Sequence, residues 1–104
     1  MIAKVNVNVI LKTRENVVVQ LWDVDIIKDD FIESQEVSKS GPIEFIFSTT
    51  LSGENNPELQ LRLFSMNDEE LHRTEAIKDI AELNIDKVTG FQEVSTIDFG
   101  TIEI

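Results

Sequence analysis

Apolar and polar residues alternate along most of this chain. Val5, Val7, Val9 and Leu11 alternate with Asn6, Asn8 and Lys12, the period of a half-buried strand. Thr13-Arg14-Glu15-Asn16 follows as a polar break of hairpin length. Val17 to Val24 is almost wholly apolar and β-prone, as expected of a central strand covered on both faces. Phe31-Ile32 opens a weaker strand to about Val37, polar enough for a sheet edge. After a turn at Ser38-Lys39-Ser40-Gly41-Pro42, Ile43, Phe45 and Phe47 alternate with Glu44 and Ser48, and Ile46 adds cover on the outer face.

Leu51 to Pro57 reads as loop. Leu59, Leu61 and Leu63 then alternate with Gln60 and Arg62, the cleanest strand in the chain. Ser65-Met66-Asn67-Asp68 is a turn, and Glu70 to Thr74 a short return strand. Residues 75–90 admit two readings: a short helix, from the spacing of Ile77, Ile80 and Ala81 behind a Thr74 cap, or an irregular loop. The last strand runs from about Val94 to Ile104. Ile97 and Phe99 share one parity and Ile102 and Ile104 the other, so a β-bulge at Gly100 is expected to restore the apolar face. About seven short strands and no strong helix predict an all-β fold, a two-sheet antiparallel β-sandwich forming one domain over residues 1–104.

Composition narrows the function. With 104 residues and 41% hydrophobic side chains the chain can bury a core. No apolar run approaches the ~18 residues of a membrane-spanning helix. Without cysteine there is no disulfide, thiolate nucleophile or Cys-zinc site. That absence, with no visible signal peptide, leads us to expect a reducing, cytoplasmic setting. A net charge of −11 repels phosphate backbones and anionic membranes, so nucleic acid is not an expected partner, and a membrane only through an intervening cation.

Four aspartates arrive within eight residues where the central strand ends: Asp23, Asp25, Asp29 and Asp30. In an extended strand Asp23 and Asp25 point the same way, roughly 6.5 Å apart. Asp29 and Asp30 can fold back towards them across a short turn. Calcium takes six to eight hard oxygens, and the mutual repulsion of these carboxylates would be relieved by a divalent cation. Against this, a solvated loop with Lys28 neutralising part of the charge accounts for the same residues. Ile26 and Ile27 fall at the loop tip, able to enter a membrane interface or to fold back on the sandwich rim. Trp22, on the face opposite Asp23, reads as a core residue. His72, the single histidine, sits among Glu69, Glu70, Arg73 and Glu75 and reads as a surface residue. No nucleophile motif accompanies it, and the glycines are too scattered for a phosphate-binding loop.

The order Val19-Gln20-Leu21-Trp22-Asp23-Val24-Asp25, Asp29-Asp30-Phe31-Ile32, Ser40-Gly41-Pro42-Ile43-Glu44-Phe45, Pro57-Glu58-Leu59 and Ile97-Asp98-Phe99-Gly100-Thr101-Ile102 resembles a transthyretin-like (prealbumin-like) sandwich over most of the chain. That resemblance implies a β-sandwich and association through strand edges, including homodimers. The segment Trp22 to Ile32 alone resembles the third calcium loop of a C2 domain. Its gap from Asp25 to Asp30 is one residue shorter than the common spacing, and Glu33 stands in place of a glycine. The C2 resemblance implies calcium ligation by Asp23, Asp25 and Asp30. The expected function is a non-enzymatic module for protein–protein interaction through a sheet face, loops or the edge 31–37. The alternative is a C2-like, calcium-binding domain that docks on a membrane or partner when loaded.

Overall fold

A computed structural model describes residues 2–12, 15–25, 27–48, 58–77, 85–87 and 93–104. They form eight strands: β1 (Ile2–Ile10), β2 (Val17–Asp23), β3 (Asp30–Val37), β4 (Gly41–Ser48), β5 (Leu59–Ser65), β6 (Glu70–Arg73), β7 (Ile85–Lys87) and β8 (Glu93–Glu103). The first sheet has the order β4-β1-β8-β7 and the second β3-β2-β5-β6. The chain is thus the expected all-β, two-sheet sandwich. One pair departs from antiparallel order, since β1 and β8 run parallel.

Period-two alternation builds the core. Val5, Val7 and Val9 of β1, Ile43 and Phe45 of β4, and Ile97 and Ile102 of β8 are buried from the first sheet. Val17, Val19 and Leu21 of β2, Val37 of β3, and Leu59, Leu61 and Leu63 of β5 come from the second. Burying a side chain of this kind contributes about 1.5–3 kcal/mol, so these alternating rows dominate the stability. Gly100 has φ 76°, and the register of β1 against β8 shifts between Asn6 and Asn8. The extra residue puts both Ile97 and Ile102 inside, as the parity change required. The Gly100 N–H donates to Asp98 Oδ1 at 2.8 Å.

Other expectations are corrected. β1 and β2 do not form the hairpin expected across the polar break at 13–16, because they belong to different sheets. Gly41 and Pro42 lie within β4 rather than in a turn. β4 is an edge strand, where a residue without an N–H costs no ladder bond. Trp22 is not in the core. It shares parity with Val18 and Gln20 on the outer face of the second sheet, where it is half-buried. Thr74 caps no helix; its Oγ1 accepts the Leu61 N–H at 3.0 Å, and its own N–H donates to the Leu61 carbonyl. Ile77 bridges to Leu59, and Ile85–Lys87 is a strand beside β8. Ile80 and Ala81, on which the helical reading rested, lie outside the described residues, as do Leu51 to Pro57.

Candidate functional site

The acidic end of the molecule is built by β2, the 24–29 connection and β3. Asp23 is in phase with Val17, Val19 and Leu21, so it sits at the rim of the buried face. There its Oδ1 accepts the Glu58 N–H at 3.1 Å, and the Val24 N–H donates to the Glu58 carbonyl at 2.7 Å. These two bonds clamp the end of β2 to the approach of β5. β2 stops at Asp23, so the alternation expected to align Asp25 with Asp23 stops too. Asp30 is instead the register partner of Asp23 across the β2–β3 pair.

Asp29 does fold back, but towards a cation that the spacing argument did not include. Its Oδ1 accepts the Asp25 N–H at 3.2 Å, and its Oδ2 pairs with the Arg62 guanidinium at 2.5 Å. Arg62 lies on the outer face of β5 yet is only 7% exposed. Its Nε donates to Gln60 Oε1 at 2.8 Å, and its guanidinium carbon lies 4.3 Å from the centre of the Trp22 ring. Trp22 Nε1 donates to Gln20 Oε1 at 2.8 Å, and the Trp22 and Phe31 rings meet edge to face at 5.5 Å. An arginine can lie flat on a sheet because its guanidinium faces stack on aromatics while its edges donate. Alternation puts Gln60 and Arg62 on one face of their strand, and the pairing of β2 with β5 sets them beside Trp22 and Gln20. What no pattern along the chain shows is that the loop aspartate would reach across to β5.

Electrostatics follow this geometry. Burial holds the Asp23 carboxyl above the ordinary aspartate range; the Glu58 N–H opposes that, and the charges of Asp30, Asp25 and Glu58 add to it. Asp29 is held below the range, chiefly by the Arg62 hydrogen bond and then by the Asp25 N–H. Among the described residues, no three His, Cys, Asp or Glu side chains are gathered to hold one metal ion. Asp23 and Asp30 face each other, Asp29 is committed to Arg62, and Asp25 stands exposed. Of the loop-tip pair, Ile27 is 93% exposed, while Ile26 lies outside the described residues. His72 is exposed on β6.

Away from the acidic end, a concavity of about 590 Å³ opens on the outer face of the first sheet. Asn6 and Asn8 of β1, Pro42 and Glu44 of β4, and Asp98 and Thr101 of β8 line it around the Gly100 bulge.

No family model matches the chain, and no curated protein matches it. Among solved structures it is similar to a 9R-lipoxygenase from Cyanothece PCC8801, with a TM-score of 0.52 and 21% identity. The match covers 97% of this chain and 16% of the lipoxygenase. At that identity the likeness shows a shared β-sandwich fold and nothing of activity.

Proposed function

We propose that this β-sandwich is a non-enzymatic binding module that recognises another protein through the outer face of its second sheet. The observation that carries the reading is the exposed aromatic patch at one end of that face. Phe31 is 52% exposed and packs against half-buried Trp22; beyond the Gln20–Arg62 row the register pair Val18–Phe64 forms a second patch, both half-buried. Outer faces of sandwich sheets are ordinarily polar, and exposed apolar surface marks an interaction site. The ionisable groups beside it support the same reading, because Asp29, Arg62 and Asp23 are engaged in holding the loop in place.

The edge of β3 is a weaker candidate than the face. Ile32 forms a bulge in the β2–β3 register, Glu33 has inward parity, and the Gln35 side chain donates to the Glu44 carbonyl of β4 at 2.6 Å. These are devices that blunt strand addition. A homodimer across β3 would also gather Asp30, Glu33 and Glu36 of both copies along one seam. The test is affinity capture with immobilised wild type and with a Val18→Ser, Phe31→Ser variant of unchanged melting transition. A partner recovered by the wild type and lost by the variant is the expected result. A partner held equally by both would place recognition elsewhere.

A second reading, calcium binding by Asp23, Asp25 and Asp30, is favoured by the like charges that crowd Asp23. It requires the loop to draw these carboxylates closer together. Calcium would then raise the melting temperature and change Trp22 emission, and Asp25→Asn would reduce both effects. A flat response at millimolar calcium would remove this reading.

A further inference from the structure

We propose that the concavity around the Gly100 bulge is a binding site for a neutral polyhydroxylated ligand of the saccharide class. It lies on the outer face of the first sheet, separate from the interaction face of the second. Its polar lining is Asn6 and Asn8 of β1, Glu44 of β4, and Asp98 and Thr101 of β8.

The backbone brings these side chains together. β1 lies inside its sheet, between β4 and β8. Asn6 is level with Glu44 on one side and Asp98 on the other, and Asn8 with Pro42 and Thr101. Asp98 and Thr101 have opposite parity, so a regular strand would turn one of them inward. The bulge at Gly100 sets both on the outer face. Asparagine is depleted in strands, yet two stand half-buried on this interior strand. The volume of about 590 Å³ falls within the ~300–1,000 Å³ of small-molecule sites and exceeds what a single ion fills.

The lining selects the ligand. It holds two carboxylates and no cation; Lys4 stands one row further along the same face, and Lys39 in the connection before β4. An anionic ligand is therefore repelled. Glu44 and Asp98 are two strand spacings apart, about 9.5 Å between backbones, with Asn6 between them, so they do not converge on one metal ion. An ammonium group satisfies carboxylates but has only donors, and the carboxamide N–H groups need acceptors. A hydroxyl both donates and accepts, so a run of ring hydroxyls matches carboxylate, carboxamide and threonine together. The side chains have capacity for it. Asp98 spends Oδ1 on the Gly100 N–H and keeps Oδ2, and Asn8 Nδ2 lies 3.5 Å from Thr101 Oγ1, a contact too long to saturate either. Exposed Pro42, beside Asn8, offers an apolar surface to the C–H face of a sugar ring.

The test is NMR of the nitrogen-labelled protein, titrated with unmodified disaccharides of glucose, galactose, mannose, xylose and N-acetylglucosamine. At least one should give saturable shifts at millimolar concentration, confined to the Asn6 and Asn8 side-chain amides and the backbone around Gly100 and Thr101. Its uronic-acid counterpart should bind at least about 10-fold more weakly. Asn6→Thr, Asn8→Thr suits the strand better and removes both carboxamides, so it should keep the melting temperature and weaken binding at least about 10-fold. Glu44→Gln, Asp98→Asn should also weaken it, whereas the same loss of charge at Asp68→Asn, Glu69→Gln should leave affinity within about 2-fold. No shift with any of these sugars would overturn the proposal. So would shifts centred on the second sheet, binding indifferent to the asparagine variant, or a uronic acid bound as tightly. The same local shifts produced by putrescine or calcium chloride at lower concentration than by any sugar would overturn it too.

Discussion

Gly100 shows how much one residue's backbone can decide. A Cβ built there meets nothing within 4 Å, so no clash at that atom bars a side chain. The constraint is φ 76°, a region that β-branched residues avoid. Gly100→Val should therefore cost about 1–3 kcal/mol through strain alone, read as a lowered urea midpoint. Asp23 makes the opposite case, an ionised group whose folded environment works against it. Its carboxyl is raised above the unfolded value, so its charge subtracts stability once pH exceeds the folded pKa, and that penalty fades as pH falls towards the unfolded value of about 3.9. Asp23→Asn keeps an oxygen for the Glu58 N–H and removes the charge. It should raise the melting temperature at pH 7, with the gain shrinking as pH falls through the folded pKa; a gain independent of pH would mean the charge is not the cause. Gly100 was legible in the sequence because a parity switch is visible along one strand. The burial of Asp23 was not, because it depends on Glu58 arriving from another part of the chain.

At the scale of elements, β2, β3 and β5 are tied together at one end by Arg62. Its guanidinium joins Asp29 of the loop, Gln60 of its own strand and the Trp22 ring. Arg62→Ala would leave the Asp29 carboxylate and the Gln60 oxygen without their donor, and Trp22 without its cation. A loss of about 1–3 kcal/mol is expected, less than for a deeply buried pair because Asp29 is one-third exposed and can rehydrate. A red shift of Trp22 emission should accompany it. Arg62→Lys should recover little, since an ammonium cannot stack and donate in the same plane. The Asp29–Arg62 pair holds below the ordinary aspartate range, so its contribution is present above about pH 3.9 and lost as pH falls through the folded Asp29 pKa. In Arg62→Ala that acid-side loss should shrink to the part that the Asp25 N–H supplies.

For the whole molecule, the packed rows from both sheets supply the stability, and no cysteine is present to staple them. The protein should fold in the presence of a chelator, with a β-sheet circular dichroism spectrum and a cooperative melt. A random-coil spectrum would contradict this. The strands, the buried rows and the bulge could be read from one dimension because period-two alternation and turn residues act locally, over a few positions. The sequence by itself determined an all-β sandwich and its core. Only the tertiary structure decided which strands pair across which sheet: that β1 lies parallel to β8, that β1 and β2 belong to different sheets, and that Trp22 faces outward. It also turned Asp29 from a candidate metal ligand into the partner of Arg62, thirty-three positions away. The physical reason is range. Alternation says which face a side chain occupies, whereas the partner of a charge depends on which distant strand is brought alongside, and many arrangements satisfy the same alternation.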